Sequence, residues 1–400
     1  GFKSRGLGDV YKSQVVGRGA AAALELFDRS TRRYRKPDWE IESVTAHGRT
    51  VSLKPVTVLS KHFCNLVHFQ RDLPNAVQKK DPKVLLVAPM AGHFATLLRG
   101  TVRDLLPDHD VYVTEWIDAR FVPRAEGAFD LDTYIDYIID FIGSFGGNVH
   151  VMAVCQPTVP VFAAVSLMEG RRDPNVPRSM VLMAGPIDAR KSPTAVNKYA
   201  TGKPLSWFRR NVITQVPWPY PGHMRFVYPG FLQLSGFMGM NLERHVTAHR
   251  DLFHNLIQGD GDSAAKHREF YDEFLAVMDL SAEYYLQTIE TVFMEHKLPK
   301  GERRHHGELV DPSKIKRVPL MTVEGYKDDI TGIGQTEAAL DLCMNLPDSM
   351  KAHHLQEGVG HYGVFNGSRF RNEILPKVRK FMRSHQGQGS LLKRVLQRVA

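Results

Sequence analysis

The sequence contains few cysteines and no long hydrophobic run. Cys64, Cys155 and Cys343 are the three cysteines among 400 residues, and their odd number and wide spacing argue against a disulfide framework or a CxxC metal site. No stretch approaches the about 18 to 20 uninterrupted apolar residues of a membrane span, and the first residues lack the hydrophobic core of a signal peptide. These absences favour a cytoplasmic protein in a reducing compartment, without a transmembrane segment. The chain begins at Gly1 rather than Met, which is consistent with missing upstream residues.

Charge of either sign is not concentrated along the chain. The formal net charge of +9 permits attraction to an anionic surface, but the basic residues are dispersed and no nucleic-acid-binding motif accompanies them. We therefore expect no nucleic-acid partner. With 43% hydrophobic and 24% charged residues, the composition is that of a globular protein. Its length of 400 residues suits one α/β domain that carries an insertion.

Strand and helix patterns alternate over two parts of the chain. Apolar runs predict strands at residues 83–88, 111–116, 149–154, 180–184, 318–324 and 353–356. Helical periodicity predicts helices at residues 94–106, 131–142, 159–165 and 335–343. Before them we expect a helix over 20–35 and a hairpin over 41–58 with its turn at Gly48. This alternation is typical of right-handed βαβ units around a mostly parallel sheet.

The alternation is interrupted between residues 191 and 316. This block contains an aromatic-rich stretch, 197–240, and helical patterns at 268–278 and 282–296. Because it lies between strands of one sheet, we interpret it as a mainly helical cap inserted over the active face. The predicted organisation is an N-terminal segment and helix (1–36), the first part of the core (37–190), the cap (191–316), the second part of the core (317–385) and a C-terminal tail (386–400).

One cysteine lies where a strand is expected to turn into a helix. Cys155 falls between the strand at 149–154 and the helix that follows. The G-x-S-x-G turn of α/β-hydrolases places a nucleophile at this junction, with small residues on either side. Here Ala153 is small, and Pro157 suits a first helical turn because no N–H is needed there. Cys155 is therefore a candidate nucleophile; the alternative is a buried core cysteine.

An acid and a histidine follow two later strands. Asp328 and Asp329 lie just after the strand at 318–324, and His361 lies in the run GVGHYG after the last strand. With Cys155 they give the chain order nucleophile, acid, histidine of α/β-hydrolases. A histidine can take the thiol proton as general base, and a carboxylate behind it fixes the ring tautomer. In an extended loop only one of the two aspartates can face the histidine.

A glycine-containing loop, PMAGH, follows the strand at 83–88. In α/β-hydrolases a loop at this place supplies the second N–H of the oxyanion hole. The alternative is an ordinary strand-to-helix turn, which any α/β protein contains.

Four runs resemble a known family. APMAGHFATLLRGTVRDLLPDHDVYVTEWIDAR from Ala88, HVMAVCQPTVPVFAAVSLM from His150, LMTVEGYKDDITGIGQT from Leu320 and GVGHYGVFNGSRFR from Gly358 look like the intracellular polyhydroxyalkanoate (poly-3-hydroxybutyrate, PHB) depolymerases of bacteria. The similarity covers about residues 20–385. It implies an α/β-hydrolase fold with an inserted cap, a cysteine nucleophile, and an aliphatic polyester on cytoplasmic granules as substrate and partner. By position it implies that Cys155 is the nucleophile, Asp328 the acid and His361 the base, and the residues before about Val16 do not look like the family.

The chemistry implied by the resemblance is acyl transfer. Cys155 attacks a backbone ester, and the backbone N–H of Gln156 and one from the Met90 region stabilise the oxyanion. The resulting thioester is released by water, with coenzyme A as an alternative acyl acceptor. No metal or tightly bound cofactor is required.

Two alternatives remain open. Polyhydroxyalkanoate synthases also use Cys, Asp and His on this fold, but their nucleophile turn resembles G-x-C-x-G, whereas this chain has Ala153 and Pro157 at the glycine positions. That departure favours the depolymerase. The other alternative is a non-catalytic granule-binding protein, which the complete set of Cys155, Asp328 and His361 disfavours.

Two further segments are candidates for granule contact. The stretch 207–237 is rich in aromatic residues, and we expect Trp207, Trp218, Tyr220 and Tyr228 to bind substrate unless they form the core of the cap. The tail at 391–400 is amphipathic and could lie on a granule surface, or it could be a loosely packed terminal helix.

Overall fold

The structure, a computed structural model, describes residues 20–386 except 26, 30–33, 75–79, 241, 259, 261–264, 266–267 and 269–270. The predicted tail at 391–400 lies outside the described residues. The chain divides into two compact units, one from Trp39–Pro229 and Met278–Ala400 and the other from Gly1–Asp38 and Gly230–Val277. The predicted cap boundaries, 191–316, remain a prediction. None of the helices in the described part of the chain combines the length and apolar character needed to cross a membrane.

Among the described residues, all strands that pair in a sheet belong to the first unit. They are β1 (Ser43–Ala46), β2 (Arg49–Lys61), β3 (Cys64–Arg71), β4 (Lys83–Val87), β5 (Asp110–Trp116), β6 (His150–Val154), β7 (Ser179–Met183), β8 (Thr214–Gln215), β9 (Phe226–Tyr228), β10 (Leu280–Ser281), β11 (Arg304–His305), β12 (Glu308–Leu309), β13 (Leu320–Gly325) and β14 (Lys351–Gln356). Nine of these form one sheet in the order β1-β2-β3-β5-β4-β6-β7-β13-β14.

Pairing in this sheet is antiparallel from β1 to β5 and parallel from β5 to β14. The predicted hairpin at 41–58 is confirmed, with its turn at residues 47–48. The parallel strands β4, β6, β7 and β13 are buried almost throughout, which is why they are continuous apolar runs rather than alternating ones. The strand order and the mostly parallel pairing are those of an α/β-hydrolase fold, as predicted.

Helices of both units occur among the described residues. The larger ones are α1 (Arg99–Leu105), α2 (Leu131–Ser144), α3 (Thr158–Gly170), α4 (Ala195–Thr201), α5 (Leu205–Asn211), α6 (Gly230–Met240), α7 (Leu242–Gln258), α8 (Ala282–Thr288), α9 (Ala338–Leu342) and α10 (Leu375–Ser384). α3 is buried along nearly its whole length. Its sequence is therefore apolar on all sides, as expected for a helix in a large core.

Several predicted helix bounds were wrong. The helix expected at 94–106 is a 3₁₀ turn, Ala95–Leu98, followed by α1. The helix expected at 268–278 ends at residue 275, because Val277 joins a bridge and the Met278 N–H donates to the Gly92 carbonyl oxygen. The helix expected at 282–296 changes after α8 to a π-helix, Ile289–Met294. At the N-terminus the structure describes helix at 20–25 and 27–29, and residues 34–38 are not helical.

The second unit joins sequence segments that are far apart. Within it the Arg268 guanidinium donates to both carboxylate oxygens of Glu25, at 2.6 and 2.8 Å, and Arg29 pairs with Asp272 at 2.9 Å. These ion pairs link the N-terminal helix to the segment that follows α7. The sequence patterns did not predict this association.

Candidate active site

Cys155 lies in a sharp turn between β6 and α3. Its φ of +67° places it in the left-handed region, which a residue with a side chain rarely occupies. The Cys155 N–H donates to the Met183 carbonyl oxygen at 2.7 Å, and the Cys155 carbonyl oxygen accepts from the Thr158 N–H at 3.1 Å. The turn is thus fixed on one side by the neighbouring strand β7 and on the other by the start of α3. This is the geometry of a nucleophile elbow.

Small residues allow the chain to make this turn. Ala153 is fully buried at the end of β6. A Cβ on Gly185 would lie 1.9 Å from the Thr158 hydroxyl oxygen, so the chain after β7 approaches the first turn of α3 more closely than any side chain permits. Pro157 has a helical conformation and its carbonyl oxygen accepts from the Val161 N–H at 3.0 Å. Pro157 therefore begins the helical hydrogen bonding without needing an N–H of its own.

His361 follows β14 in a 3₁₀ turn and faces an aspartate. The ring is 5% exposed, and its Nδ1 lies 2.8 Å from Asp328 Oδ2 and 3.0 Å from Oδ1. Because a carboxylate only accepts, Nδ1 carries the proton and Nε2 is the nitrogen left for the thiol. Asp328 Oδ1 also accepts from the backbone N–H groups of Ile330 and Thr331, at 2.9 and 2.8 Å. The carboxylate is therefore held in one orientation behind the ring.

The two adjacent aspartates occupy different surroundings. The Asp328 side chain is 1% exposed and contacts His361, whereas Asp329 is exposed. The structure thus brings Asp328 to the histidine.

The pKa of His361 is raised well above its ordinary value of 6.5. Burial of the ring is the largest single effect and lowers this pKa, but the negative charges of Asp328 and of the Cys155 sulfur, together with hydrogen bonds to both side chains, outweigh it. The ring of His361 thus lies between the carboxyl of Asp328 and the thiol of Cys155. The structure brings all three predicted residues together.

Met90 and Gln156 follow two adjacent parallel strands. Val87 at the end of β4 pairs with Ala153 in β6, so the loops that contain Met90 and Gln156 leave the sheet at the same edge. Met90 is buried, and Gly92 in its loop has a φ of +99°. This placement is compatible with two backbone donors near Cys155, and their role remains a prediction.

The four predicted substrate-binding residues differ in exposure. Trp218 is 79% exposed, whereas Tyr228 is 9% exposed and stacks on Tyr285 with ring centroids 3.9 Å apart. Burial raises the pKa of Tyr228 to about 12. Tyr220 contacts the ring of Phe121 and Trp207 lies under the Lys203 ammonium, which is 4.1 Å from the ring centroid. Tyr228 is thus part of the interior, and Trp218 is free to contact a surface.

Two buried tyrosines near Cys155 were missed by the sequence analysis. Tyr134 in α2 and Tyr284 in α8 are 0% and 2% exposed, and their ring centroids are 5.7 Å apart. Burial raises the pKa of each hydroxyl well above 10, and negative charge at Cys155 raises it further. Both hydroxyls therefore stay protonated. Helical periodicity predicted α8 but could not tell whether Tyr284 or Tyr285 lies near Cys155.

Two side-chain groups could supply metal ligands among the described residues. They are Asp136 with His305 and His306, and Glu324 with Glu337 and His353. The buried carboxylate of Glu324 already accepts backbone N–H groups of Gly334 and Thr336, at 2.8 and 2.7 Å. Neither group includes Cys155, His361 or Asp328.

Comparison with known proteins gives distant relatives and one family. The chain is 21% identical over 374 residues to the poly(3-hydroxyalkanoate) polymerase subunit PhaC of Haloferax mediterranei, covering 89% of this chain and 68% of that protein. Similar solved structures include a monoacylglycerol lipase of Paleococcus ferrophilus (15% identity, TM-score 0.44, 76% of this chain and 94% of that chain). Another is the 2-hydroxy-6-oxo-6-phenylhexa-2,4-dienoate hydrolase of Rhodococcus sp. strain RHA1 (12% identity, TM-score 0.42, 83% of this chain and 99% of that chain).

A family model described as PHB de-polymerase C-terminus matches residues 184–386. The matched residues include Asp328 and His361, but they begin after Cys155. They amount to just over half of the chain. The chain therefore belongs to the family described as PHB de-polymerase C-terminus.

Proposed function

We propose that this protein hydrolyses the ester bonds of poly-3-hydroxybutyrate or a related polyhydroxyalkanoate through Cys155, His361 and Asp328. The observation that carries the proposal is the position of the His361 ring, which contacts the Asp328 carboxyl on one side and the thiol of Cys155 on the other. Membership of the PHB de-polymerase family supports the polyester as substrate. The protein would act at granules in the cytoplasm, where the polymer is stored.

In the first half-reaction the sulfur of Cys155 attacks the ester carbonyl carbon. Nε2 of His361 takes the thiol proton and then gives it to the alkoxide that leaves. Asp328 holds Nδ1–H and stabilises the protonated ring while the proton is in transit. The backbone N–H groups of Gln156 and of the Met90 region would stabilise the oxyanion, each contributing about 10²- to 10³-fold in rate.

The second half-reaction releases the acyl group from Cys155. Water adds to the thioester carbonyl carbon, its proton passes to His361, and the sulfur leaves and is protonated again. The product is a 3-hydroxyacid or a short oligomer. A thiol such as coenzyme A would yield a new thioester from the same intermediate.

A synthase-type acyltransferase is the second candidate, and the similarity to a polymerase subunit favours it. In that reaction the acyl acceptor is the hydroxyl end of a growing chain. Ala153 and Pro157 at the positions where synthases have glycine support the hydrolase instead.

The two candidates differ in what the purified protein does with granules and with acyl-coenzyme A. We expect native amorphous granules to release 3-hydroxybutyrate, and 3-hydroxybutyryl-coenzyme A not to yield polymer. Performing the granule assay with and without coenzyme A identifies the acceptor. Net polymer formation without hydrolysis would support the synthase.

The nucleophile is tested by replacing and by alkylating Cys155. We expect Cys155→Ala to lose at least about 10³-fold in turnover while its circular dichroism and melting temperature stay unchanged. Iodoacetamide should inactivate the wild type by labelling this one cysteine, because burial raises the pKa of Cys64 well above 9 and that of Cys343 to about 12. Full activity of Cys155→Ala would contradict the proposal, and Cys343→Ala is the matched control.

A further inference from the structure

A buried group of polar side chains adjoins Cys155 and has no part in the triad. It consists of the carboxamide of Gln156, the hydroxyl of Tyr284 and the hydroxyl of Thr288, and we call it the acceptor pocket. Gln156 directly follows the nucleophile, and Tyr284 and Thr288 lie four residues apart on α8, hence on one face of that helix. All three belong to the first unit of the chain.

The polar atoms of the acceptor pocket lack ordinary hydrogen bonds. Among the described residues, both polar atoms of the Gln156 side chain, the Tyr284 hydroxyl and the Thr288 hydroxyl are inaccessible to solvent and have no partner within hydrogen-bond geometry. The Tyr284 hydroxyl is nevertheless close enough to the Gln156 and Thr288 side chains for both to lower its pKa slightly against the larger effect of burial. The three side chains therefore lie near one another, but their polar atoms are not paired within hydrogen-bond geometry.

Leaving such atoms unpaired is costly. A buried polar group without a partner costs about 1 to 3 kcal/mol, so four such atoms in one place indicate a ligand that completes their hydrogen bonds. The pocket offers donors from Gln156 and Tyr284 and acceptors from Gln156 and Thr288, with no charged side chain among them. That combination fits a neutral hydroxyl species and not an anion or a metal cation.

The pocket is also close to the reacting sulfur. Negative charge at Cys155 acts on the Tyr284 hydroxyl and adds to the effect of burial on its pKa. The backbone of Gln156 is fixed by the elbow, since its carbonyl oxygen accepts from the Val159 N–H at 3.3 Å. A hydroxyl held by these side chains would therefore lie beside a thioester on Cys155.

We propose that Gln156, Tyr284 and Thr288 bind and orient the hydroxyl of the acyl acceptor, which is water in hydrolysis. This inference rests on the proposed function. The bound water attacks the thioester carbonyl carbon through its oxygen, a C–O bond forms, and the proton passes to Nε2 of His361. The C–S bond then breaks, the acid leaves, and the sulfur recovers the proton from His361.

The test measures how the acyl-enzyme divides between water and a competing thiol. 4-Nitrophenyl butyrate is turned over in a fixed concentration of 2-mercaptoethanol, and butyrate and the S-butyryl thioester are quantified against a Cys155→Ala blank. We expect Gln156→Leu, Tyr284→Phe and Thr288→Val each to shift the product ratio at least tenfold towards the thioester, because a thiol depends far less on hydrogen bonds for its position. The ratio is set after acylation, so it does not depend on which step limits turnover or on how much of a variant is folded.

Tyr285→Phe is the matched control, because Tyr285 directly follows Tyr284 in the same helix and stacks on Tyr228 instead. It should leave the product ratio unchanged. An unchanged ratio in all three pocket variants, with Cys155→Ala inactive, would overturn the acceptor pocket alone. Turnover by Cys155→Ala would instead overturn the proposed function.

Discussion

Cys155 adopts a strained conformation that its neighbours impose. A non-glycine residue at a φ of +67° costs about 1 to 3 kcal/mol, and such strain persists only where the surroundings fix it. Here the hydrogen bonds to Met183 and from Thr158 fix it from both sides. Cys64 and Cys343 are buried without such strain. The strain thus distinguishes Cys155 from the other two cysteines.

The two adjacent aspartates allow a matched test of the acid. We expect Asp328→Asn to lower kcat/KM by about 10²- to 10⁴-fold, because the amide neither fixes the Nδ1–H tautomer nor stabilises the protonated ring. Asp329→Asn should stay within about twofold of the wild type, because Asp329 is exposed and is not the carboxyl that contacts His361. Steady-state kinetics on a soluble 3-hydroxybutyrate ester would measure both. The reverse result would transfer the role to Asp329.

The same variant changes the pH dependence in a defined direction. Asp328 raises the pKa of His361 against the effect of burial. A general base must be neutral, so activity falls as the pH drops through this pKa. Without the carboxylate the pKa decreases, and the residual activity of Asp328→Asn should fall only at a lower pH than that of the wild type. An acid limb at the same pH in both proteins would contradict this account.

At the level of elements, the elbow depends on close contact between the end of β7 and the start of α3. A methyl group at residue 185 would overlap the Thr158 side chain, whose three nearest atoms lie 1.9 to 2.5 Å from the Cβ position. We expect Gly185→Ala to destabilise the protein by about 1 to 3 kcal/mol and to lower turnover by displacing the elbow. Chemical denaturation and kinetics would measure the two effects.

Gly143→Ala is the matched control for this substitution. Gly143 lies inside α2 and a Cβ there would meet nothing within 4 Å. Alanine should therefore stabilise the helix slightly, by up to about 1 kcal/mol. Equal effects at the two glycines would show that the contact with Thr158 is unimportant.

The hairpin formed by β8 and β9 presents an apolar surface. Trp218, Met224 and Phe226 are 79%, 41% and 50% exposed, and nearby Phe121 is 51% exposed. Monomeric proteins rarely keep several large apolar side chains exposed together without a partner. We therefore propose that the exposed side chains of this hairpin, rather than the buried Tyr228, contact the polyester granule.

Replacing Trp218 and Phe226 by Ser tests the docking surface. The double variant should co-sediment with granules about tenfold more weakly, equivalent to about 1.4 kcal/mol, while its hydrolysis of a short soluble ester stays unchanged. Met344→Ser is the control, because Met344 is 75% exposed on another part of the surface. Loss of activity on both substrates, or a lower melting temperature, would mean that these residues pack the protein.

At the scale of the whole molecule, the sequence predicted the features that local hydrophobic patterns encode, which are the parallel strands and the positions of the residues that follow them. The parallel strands are buried on both faces, so they appear as apolar runs, and residues that follow their carboxyl ends must meet at one edge of the sheet. This rule placed Cys155, Asp328 and His361 at one edge of the sheet without any knowledge of side-chain contacts. The pairing of Arg268 with Glu25 is not encoded in this way, because it joins residues 243 positions apart through side chains with no periodic signal. Likewise, periodicity predicted α8 but not its change to a π-helix at Ile289.

One buried acid links pH to the stability of the whole fold. Asp118 is 7% exposed and accepts from the backbone N–H groups of Arg120 and Asp279, at 2.9 and 3.1 Å. Burial, together with the negative charge of Asp279, raises the pKa of Asp118 from 3.8 to about 6, against the opposing charge of Arg120. Arg120 itself is engaged by Asp279, with contacts of 2.6 and 2.9 Å.

A carboxyl whose pKa is higher in the folded than in the unfolded protein binds its proton more tightly when folded. Its contribution to stability is therefore full below pH 4 and is lost as the pH rises through about 6. Asp118→Asn removes this titration and keeps an acceptor oxygen for the two N–H groups. We expect the variant and the wild type to be equally stable near pH 4, and the variant to be more stable by about 1 to 3 kcal/mol at pH 7. Urea unfolding at both pH values would measure the difference, with the exposed Asp348→Asn as control. A variant that is less stable than the wild type at pH 7 would mean that the charged carboxylate is a net stabilising partner of Arg120.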